Sequence, residues 1–337
     1  MIRFENVTKV YPGGTTAVDD LTVTAPAGEI TVLVGPSGCG KTTSLRMVNR
    51  MIEPTSGQVH VGERNVAQAD PAELRRTIGY VIQHGGLFPH RTILDNVATV
   101  PLLLGWDRRR ARARAAELLD LVGLDRELAT RYPAQLSGGQ QQRVGVARAL
   151  GADPPYMLMD EPFSAVDPIV REQLQDEFLR IQSLVSKTIL FVTHDIDEAL
   201  KLGDKVAVLR VGGRLAQLAT PAELLATPAD AFVASFIGRD RGYRALGFQS
   251  ATGLALQDEP TVLVAVLPEV ARDVASGAQW LLVVDEARMP LGWVEPASLD
   301  APVTAQSLVP GGALAHRDGT LRGALDAALS SPSGRGV

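Results

Sequence analysis

One stretch of eight residues constrains the fold of this chain more than any other. It reads Gly35-Pro36-Ser37-Gly38-Cys39-Gly40-Lys41-Thr42 and fits the pattern G-x-x-x-x-G-K-[ST]. Apolar residues over 29–34 precede it, and a helical pattern over 41–51 follows it. Its glycines let the backbone curl so that N–H groups point at phosphate oxygens, and the positive end of the following helix adds to the attraction. The pattern predicts a strand, a phosphate-binding loop (residues 35–42, the phosphate loop) and a helix, in that order.

Two side chains of the phosphate loop have expected tasks. Lys41 is expected to neutralise the β- and γ-phosphates of a nucleoside triphosphate, and the Thr42 hydroxyl to ligate Mg²⁺. The residues expected to contact the nucleotide here are Gly35, Pro36, Ser37, Gly38, Cys39, Gly40, Lys41, Thr42 and Thr43.

Cys39 is the only cysteine of the chain, which excludes an internal disulfide and suits a reducing cytoplasm. Two interpretations of it are open. A helix N-terminus can lower the pKa of a thiol and make it react with alkylating agents. Alternatively, and more simply, Cys39 is a small residue that fits the loop.

A second pattern places two carboxylates at the end of an apolar strand over residues 156–161. Asp160 is expected to hold the metal ion, directly or through water. Glu161, as the next residue of an extended strand, is expected to point to the opposite side of the pleat, and it is the candidate general base for an attacking water. A strand that ends in acidic residues is common, so this interpretation depends on the phosphate loop upstream.

About a hundred residues after the phosphate loop, the chain reads Leu136-Ser137-Gly138-Gly139-Gln140. With this signature loop (residues 136–140), residues 1 to about 237 resemble the ATP-binding cassette (ABC) family. In that family the signature loop of one subunit closes on the γ-phosphate held by the other subunit. One chain has one copy of each loop, so the resemblance implies a homodimer. Ser137 and the N–H groups of Gly138 and Gly139 would complete the phosphate cage.

The other family landmarks follow in order. Tyr11 resembles the aromatic residue that stacks on adenine. Gln83 resembles the glutamine that touches the metal and the attacking water, Asp167 lies in the loop that crosses to the partner subunit, and His194 resembles the histidine that contacts the γ-phosphate. Each alone has an ordinary structural interpretation, and their order and spacing favour the site. The resemblance implies ATP and Mg²⁺ as cofactors, with Glu161, His194 and Gln83 as catalytic residues and Thr42, Gln83 and Asp160 as metal ligands.

The expected fold class is α/β: a P-loop NTPase (ABC ATPase) core with a mainly parallel sheet, an antiparallel β subdomain and a helical subdomain at about 85–150. Helices are expected over 87–104, 108–122 and 167–183, and strands over 188–192 and 205–209. Residues 238–245 form a joint. Residues 246–337, with strands expected over 261–267, 279–284 and 291–294, resemble a small α/β module of the cystathionine-β-synthase (CBS) type. A cut-off second repeat, a shortened one and a small α/β tail that supports the dimer all stay open. Two roles stay open for this region: sensing of a nucleotide or of ions, and support of the dimer.

Composition excludes several classes of protein. A net charge of −5 and a pI near 5.6 argue against broad nucleic-acid binding. Five arginines over residues 108–114 invite a membrane-surface or DNA interpretation, but they lead into a helical pattern, which favours a solvated helix end. No run approaches 18 apolar residues and no signal peptide is recognised at Met1, so we expect a peripheral protein on the cytoplasmic face of the plasma membrane.

Residues 167–178 and 238–242, together with the CBS-like region, resemble the branch that energises uptake of quaternary amines such as glycine betaine, choline or carnitine. The resemblance implies an ATPase subunit that docks as a homodimer on separate integral membrane permease subunits, supplied by an extracytoplasmic substrate-binding protein. Another small solute, such as an amino acid or a thiol-betaine, stays open. A soluble cassette ATPase acting on DNA or ribosomes is disfavoured because the chain has no coiled-coil insertion or second cassette. A protein that holds ATP without hydrolysing it is disfavoured by Glu161 and His194.

Overall fold

The computed structural model describes residues 1–82, 86–164, 166–255, 260–310 and 312–337. These residues divide into two compact units, Met1–Ile237 and Gly238–Val337.

The first unit contains ten strands and ten α-helices within its described residues. The strands are β1 (Ile2–Val10), β2 (Thr16–Ala25), β3 (Ile30–Val34), β4 (Ser56–Val61), β5 (Arg64–Asn65), β6 (Ile78–Val81), β7 (Tyr156–Asp160), β8 (Thr188–Thr193), β9 (Lys205–Arg210) and β10 (Arg214–Ala219). The helices are α1 (Lys41–Val48), α2 (Pro71–Arg76), α3 (Ile93–Val97), α4 (Thr99–Leu103), α5 (Arg108–Leu121), α6 (Gly138–Leu150), α7 (Pro168–Val185), α8 (Ile196–Leu202), α9 (Pro221–Ala226) and α10 (Ala231–Ile237). Short 3-10 helices lie at Arg126–Thr130 and Pro133–Gln135.

The large sheet of this unit has the strand order β10-β9-β3-β8-β7-β6, and all neighbouring strands are parallel except β10 and β9. Every residue of β3 and β8 is buried, as is typical of strands covered on both faces. Val34 pairs with Thr193, and Asp160 pairs with Val192. The carboxyl ends of β3, β8 and β7 therefore lie side by side, and the chain leaves them towards the phosphate loop, His194 and Glu161.

A separate antiparallel sheet has the order β2-β1-β4-β5. Its inward side chains, among them Phe4, Leu21 and Val59, share one core with Leu45 and Met47 of α1. The parallel core and the antiparallel β subdomain confirm the expected fold class.

The prediction of a single helix over 87–104 is wrong. The chain turns at Pro89, the Thr92 side chain caps α3, and a break at Ala98 separates α3 from α4. Fully buried Asn96 stabilises the turn, because its Oδ1 accepts from the Phe88 N–H at 2.7 Å and its Nδ2 donates to the Phe88 carbonyl at 3.1 Å. A proline in the turn and a side chain that satisfies the turn's backbone outweigh the apolar periodicity.

The second unit contains α11 (Arg241–Ala245), β11 (Thr261–Leu263), α12 (Pro268–Ala275), β12 (Leu281–Val284), β13 (Pro290–Val294) and α13 (Leu321–Ser330), with 3-10 helices at Leu246–Phe248, Pro296–Ser298 and Ala305–Ser307. Strands β11 and β12 are parallel and joined through α12, while β13 is antiparallel to β12. The strand expected over 261–267 is shorter, because Ala265 has a left-handed φ of 69°. A small α/β fold is therefore confirmed for this unit.

No helix in the described ranges combines the length and the apolar character needed to cross a bilayer.

Candidate nucleotide-binding and hydrolysis site

The phosphate loop joins β3 to α1 through backbone conformations that only glycine tolerates. Gly40 caps α1 with a φ of 83°, and a Cβ there would lie 2.2 Å from the Ala17 carbonyl oxygen. A Cβ on Gly35 would lie 2.3 Å from the Leu209 carbonyl oxygen of β9. Any side chain at these two positions would push the loop away from the sheet.

Lys41 lies inside the curl of the phosphate loop. Its Nζ donates to the carbonyl oxygens of Gly35 at 2.7 Å and Pro36 at 3.1 Å, and the residue is only 7% exposed. The loop therefore fixes a positive charge at the start of α1, where the helix dipole also favours an anion.

Thr42 and Asp160 meet at the junction of α1 and β7. The Thr42 hydroxyl donates to Oδ1 of Asp160 at 2.9 Å, and Asp160 is 4% exposed. Burial raises the pKa of Asp160, while the hydrogen bond from Thr42 and the charge of Arg46 act in the opposite direction. A cavity of about 390 Å³ lies beside these oxygens and is lined by Thr42, Arg46, Met51, Ile52, Tyr80, Ile82 and Asp160.

The oxygens of Thr42 and Asp160 fit Mg²⁺. This cation is usually held by one or two protein carboxylates together with substrate phosphates and water, rather than by an all-protein cage. No cluster of three His, Cys, Asp or Glu side chains able to hold a metal occurs in the described part of the chain.

Glu161 and His194 form the second contact of the site. Oε2 of Glu161 lies 3.1 Å from Nδ1 of His194, and the two side chains are 18% and 58% exposed respectively. The pair thus combines a sheltered carboxylate with a ring that solvent can reach.

The expectation that Glu161 continues the pleat of the strand is wrong. Strand β7 ends at Asp160, and Glu161 has a left-handed φ of 45°. Its N–H donates to the Val192 carbonyl at 2.9 Å, and the Ser164 hydroxyl donates to the Glu161 carbonyl at 2.9 Å. This tight turn, and not strand alternation, turns the carboxylate towards β8 and His194.

Tyr11 lies beside the start of α1. Its hydroxyl is 3.4 Å from Oγ1 of Thr43, and Nζ of Lys9 is 5.4 Å from the ring centroid. The ring is partly exposed. An aromatic face next to the phosphate loop is available for a base to stack on.

Ser137 and Asp167 each cap a helix. Ser137 forms a capping box with Gln140 at the start of α6, and Asp167 accepts from the Val170 N–H at 3.2 Å at the start of α7. Among the hydrogen bonds of the described residues, those of Ser137 and Asp167 stay at these helix starts. Gln83 lies outside the described residues.

Cys39 is fully buried, and this burial raises the pKa of its thiol although Lys41 acts in the opposite direction. The interpretation of Cys39 as a thiol with a lowered pKa is therefore wrong. Desolvation of the thiolate outweighs both the helix N-terminus and the nearby ammonium group.

Sequence reasoning missed Arg46 and Tyr80. Both line the cavity beside Asp160, and burial together with Asp160 raises the pKa of the Tyr80 phenol. The spacing held a signal for Arg46: it follows Thr42 by four residues on α1, so the two side chains share a helix face.

A glycine-rich loop after β3, a histidine after the neighbouring strand β8 and two carboxylates at the end of β7, the next strand of the sheet, define the class of this protein. It is a P-loop nucleotide-binding protein equipped for hydrolysis. Comparison with known proteins gives the family. The ABC transporter family matches residues 18–164. The chain belongs to the ATP-binding proteins of this family and is an ATPase.

The similar proteins agree with this assignment. The osmoprotectant import ATP-binding protein OsmV of Salmonella typhimurium is 50% identical over 306 residues, which are 88% of this chain and 79% of that protein. The glycine betaine/carnitine/choline transport ATP-binding protein OpuCA of Bacillus subtilis is 45% identical over 92% of this chain and 82% of its own length. Among solved structures, the dimeric ATP-binding cassette MJ0796 bound to ADP and Pi matches 66% of this chain and 99% of its own, with a TM-score of 0.59 and 34% identity.

Proposed function

We propose that this chain is the ATP-hydrolysing subunit of an importer for quaternary amines, with glycine betaine, choline and carnitine as the candidate solutes. The Glu161–His194 contact of 3.1 Å, next to the Thr42–Asp160 pair, carries the assignment of hydrolysis. The solute class comes from relatives that match most of this chain and are named for osmoprotectant, carnitine or choline transport.

The chain's own groups divide the chemistry of hydrolysis. Lys41 and the backbone N–H groups of the phosphate loop bind the β- and γ-phosphates, and Tyr11 stacks on adenine. Thr42 and Asp160 would hold Mg²⁺, which would neutralise phosphate charge. From the family resemblance, Gln83 would be the residue that contacts the metal and the attacking water.

Glu161 accepts the proton of that water, and His194, held by Glu161, contacts the γ-phosphate. Glu161 suits this task because its side chain is sheltered from most solvent, at 18% exposure, and lies 3.1 Å from His194.

Two copies of the chain are needed for two complete sites. The serine at position 137 and the backbone N–H groups after it, at the start of α6, cap the γ-phosphate bound by the other copy, with Gln140 in the same loop. Asp167 crosses at the same interface. The start of α6 is suited to this role because the N–H groups of a helix start favour an anion. The dimeric state of the MJ0796 cassette supports this arrangement.

The assembly also includes integral membrane permease subunits and an extracytoplasmic substrate-binding protein, with no nucleic acid. The chain lies at the cytoplasmic face of the membrane as a peripheral subunit. Residues 1–237 form the nucleotide-binding domain with a helical subdomain at about 85–150, residues 238–245 the joint, and residues 246–337 a CBS-like regulatory or dimerisation domain.

Reconstitution with the permease and binding protein tests this proposal. ATP hydrolysis is measured in proteoliposomes with and without glycine betaine, choline or carnitine. We expect at least one of them to raise the rate several-fold. If none of the three solutes changes the rate of ATP hydrolysis, the proposed solute class is contradicted and other solutes must be tested.

A further inference from the structure

Helix α7 is joined to helix α8 and to the Asp195 side chain that caps α8 by three polar side-chain contacts. These are Arg171 Nη1 to Asp195 Oδ2 at 3.8 Å, Gln175 Nε2 to Glu198 Oε1 at 3.1 Å, and Lys201 Nζ to Asp176 Oδ1 at 2.7 Å. Helix α7 begins just after Asp167, and α8 begins two residues after His194. The Arg171–Asp195 contact is thus the one of these three nearest to both loops of the site.

Arg171 also contacts the backbone that leads into Asp167. Its Nη2 donates to the Val166 carbonyl at 3.0 Å. The same guanidinium therefore reaches the residue before Asp167 and the residue after His194. A planar guanidinium with several fixed donors can make both contacts at once, which a single ammonium group cannot do with the same geometry.

Asp195 is itself fixed to the segment around His194. Its Oδ1 accepts from the Asp197 N–H at 2.8 Å at the start of α8, and its N–H donates to the Thr193 hydroxyl at 3.0 Å. The Asp195 carboxylate therefore holds the backbone that follows His194, while the Asp195 N–H links the same residue to Thr193, which precedes His194.

Arg171 has the environment of a structural ion pair. Its side chain is 30% exposed, and its buried Nε has no hydrogen-bond partner among the described residues. Partial burial reduces the screening of its interaction with Asp195 by solvent and salt.

We propose that Arg171 is a positioning residue for ATP hydrolysis: by binding the Val166 carbonyl and Asp195, it holds the loop of Asp167 and the loop of His194 in one arrangement. This inference rests on the proposed function, because it takes the roles of Asp167 and His194 from it. Arg171 does not touch the reacting atoms. Its loss should therefore lower kcat and leave the KM for ATP nearly unchanged.

The test uses the full chain in the reconstituted transporter. The test compares four variants with the wild type: Arg171→Ala, Arg171→Lys, Asp195→Asn and the double variant Arg171→Ala/Asp195→Asn. Asparagine is as good a helix cap as aspartate, so Asp195→Asn removes the charge and keeps the start of α8. We expect Arg171→Ala and Asp195→Asn each to lower kcat about tenfold with KM for ATP within about twofold, since small displacements of catalytic groups have effects of this size or larger.

The double variant should be no slower than the slower single variant, because both remove the same contact. Arg171→Lys should have a higher kcat than Arg171→Ala, since lysine keeps the positive charge but lacks the several fixed donors of the planar guanidinium. The matched control is Lys201→Gln, which breaks the ion pair to Asp176 further along both helices and should stay within about twofold of the wild-type kcat.

A wild-type kcat in Arg171→Ala would overturn the inference, as would a double variant whose loss is the product of the single losses, or an equal loss in Lys201→Gln. If Arg171→Ala does not fold, Arg171→Lys and Asp195→Asn decide the same question. Glu161→Gln in the same assay distinguishes a failure of the Arg171 inference from a failure of the proposed function. If Glu161→Gln lowers kcat and Arg171→Ala does not, only the positioning role of Arg171 is contradicted. If Glu161→Gln keeps the wild-type kcat, the role of Glu161 as the base is contradicted.

Discussion

The hydroxyl of Thr42 and the carboxylate of Asp160 meet at 2.9 Å, which joins the first turn of α1 to the last residue of β7. The phosphate loop and the acidic strand end are 118 residues apart in the chain but share this one hydrogen bond. It holds two oxygen atoms ready on one side of the site, and we assign this pair to Mg²⁺.

Thr42→Ala removes one of these oxygens and leaves Asp160 buried without its hydrogen bond. The Mg²⁺ concentration for half-maximal ATP hydrolysis should rise by about tenfold, because a hard cation loses an oxygen ligand. Thr42→Ser keeps the hydroxyl and is the matched control, with a Mg²⁺ requirement close to that of the wild type. Equal Mg²⁺ titrations for Thr42→Ala and Thr42→Ser would show that the hydroxyl is not a ligand.

Glu161→Gln keeps the size of the side chain and removes its basicity. Hydrolysis should slow by about 10²-fold or more, while ATP binding stays intact and the closed dimer accumulates. Single-turnover kinetics, equilibrium binding of ATP and light scattering for the dimer measure the three effects. The base must be sought elsewhere if this variant turns over ATP at the wild-type rate.

Burial raises the pKa of Glu198, with Asp195 acting in the same direction and Thr193, Gln175 and Arg171 acting against it. The folded chain therefore binds this proton more tightly than the unfolded chain. The stability that the protonated group contributes is present below the ordinary pKa of glutamate and is lost as pH rises through the raised value.

Glu198→Gln mimics the protonated carboxyl and keeps Oε1 as an acceptor for Gln175. Its urea midpoint should exceed that of the wild type at about pH 8 and approach it as the pH falls to about 4.5. Glu172→Gln, at an exposed position of α7, is the control. A gap between Glu198→Gln and wild type that does not change with pH would contradict this assignment.

The thiol of Cys39 should resist alkylation. It is fully buried and burial raises its pKa, so both access and the thiolate fraction are low in the folded protein. Mass spectrometry after N-ethylmaleimide treatment at about pH 7.5 should show labelling at least about tenfold slower in the native chain than in denaturant. Comparable rates in the two states would mean that the phosphate loop exposes this thiol.

Much of this site could be predicted from the sequence because its chemistry depends on local patterns. Gly35 and Gly40 occupy positions that no other residue can fill, and a buried strand before them defines where the loop begins. The parallel order of β3, β8 and β7 then brings the remaining groups together, because the carboxyl ends of neighbouring parallel strands meet at one edge of a sheet.

The errors came from contacts that the local pattern does not contain. The Asn96 side chain bonds to the backbone of Phe88, eight residues earlier, and so holds a turn where the apolar pattern predicted a helix. The left-handed turn at Glu161 depends on the Val192 carbonyl of a neighbouring strand. Arg171 gave no sign of its link to Asp195, 24 positions away, because tertiary packing alone makes that pair.

In the proposed function, ATP hydrolysis by this chain drives the import of a quaternary amine. Proteoliposomes that contain the chain, its permease and its binding protein should therefore be followed for uptake of labelled glycine betaine, choline or carnitine and for phosphate release in the same sample. We expect uptake and phosphate release to rise together with wild-type protein and both to be lost with Glu161→Gln. Uptake that continues with Glu161→Gln, or wild-type phosphate release with no uptake of any of the three, would contradict the proposed function.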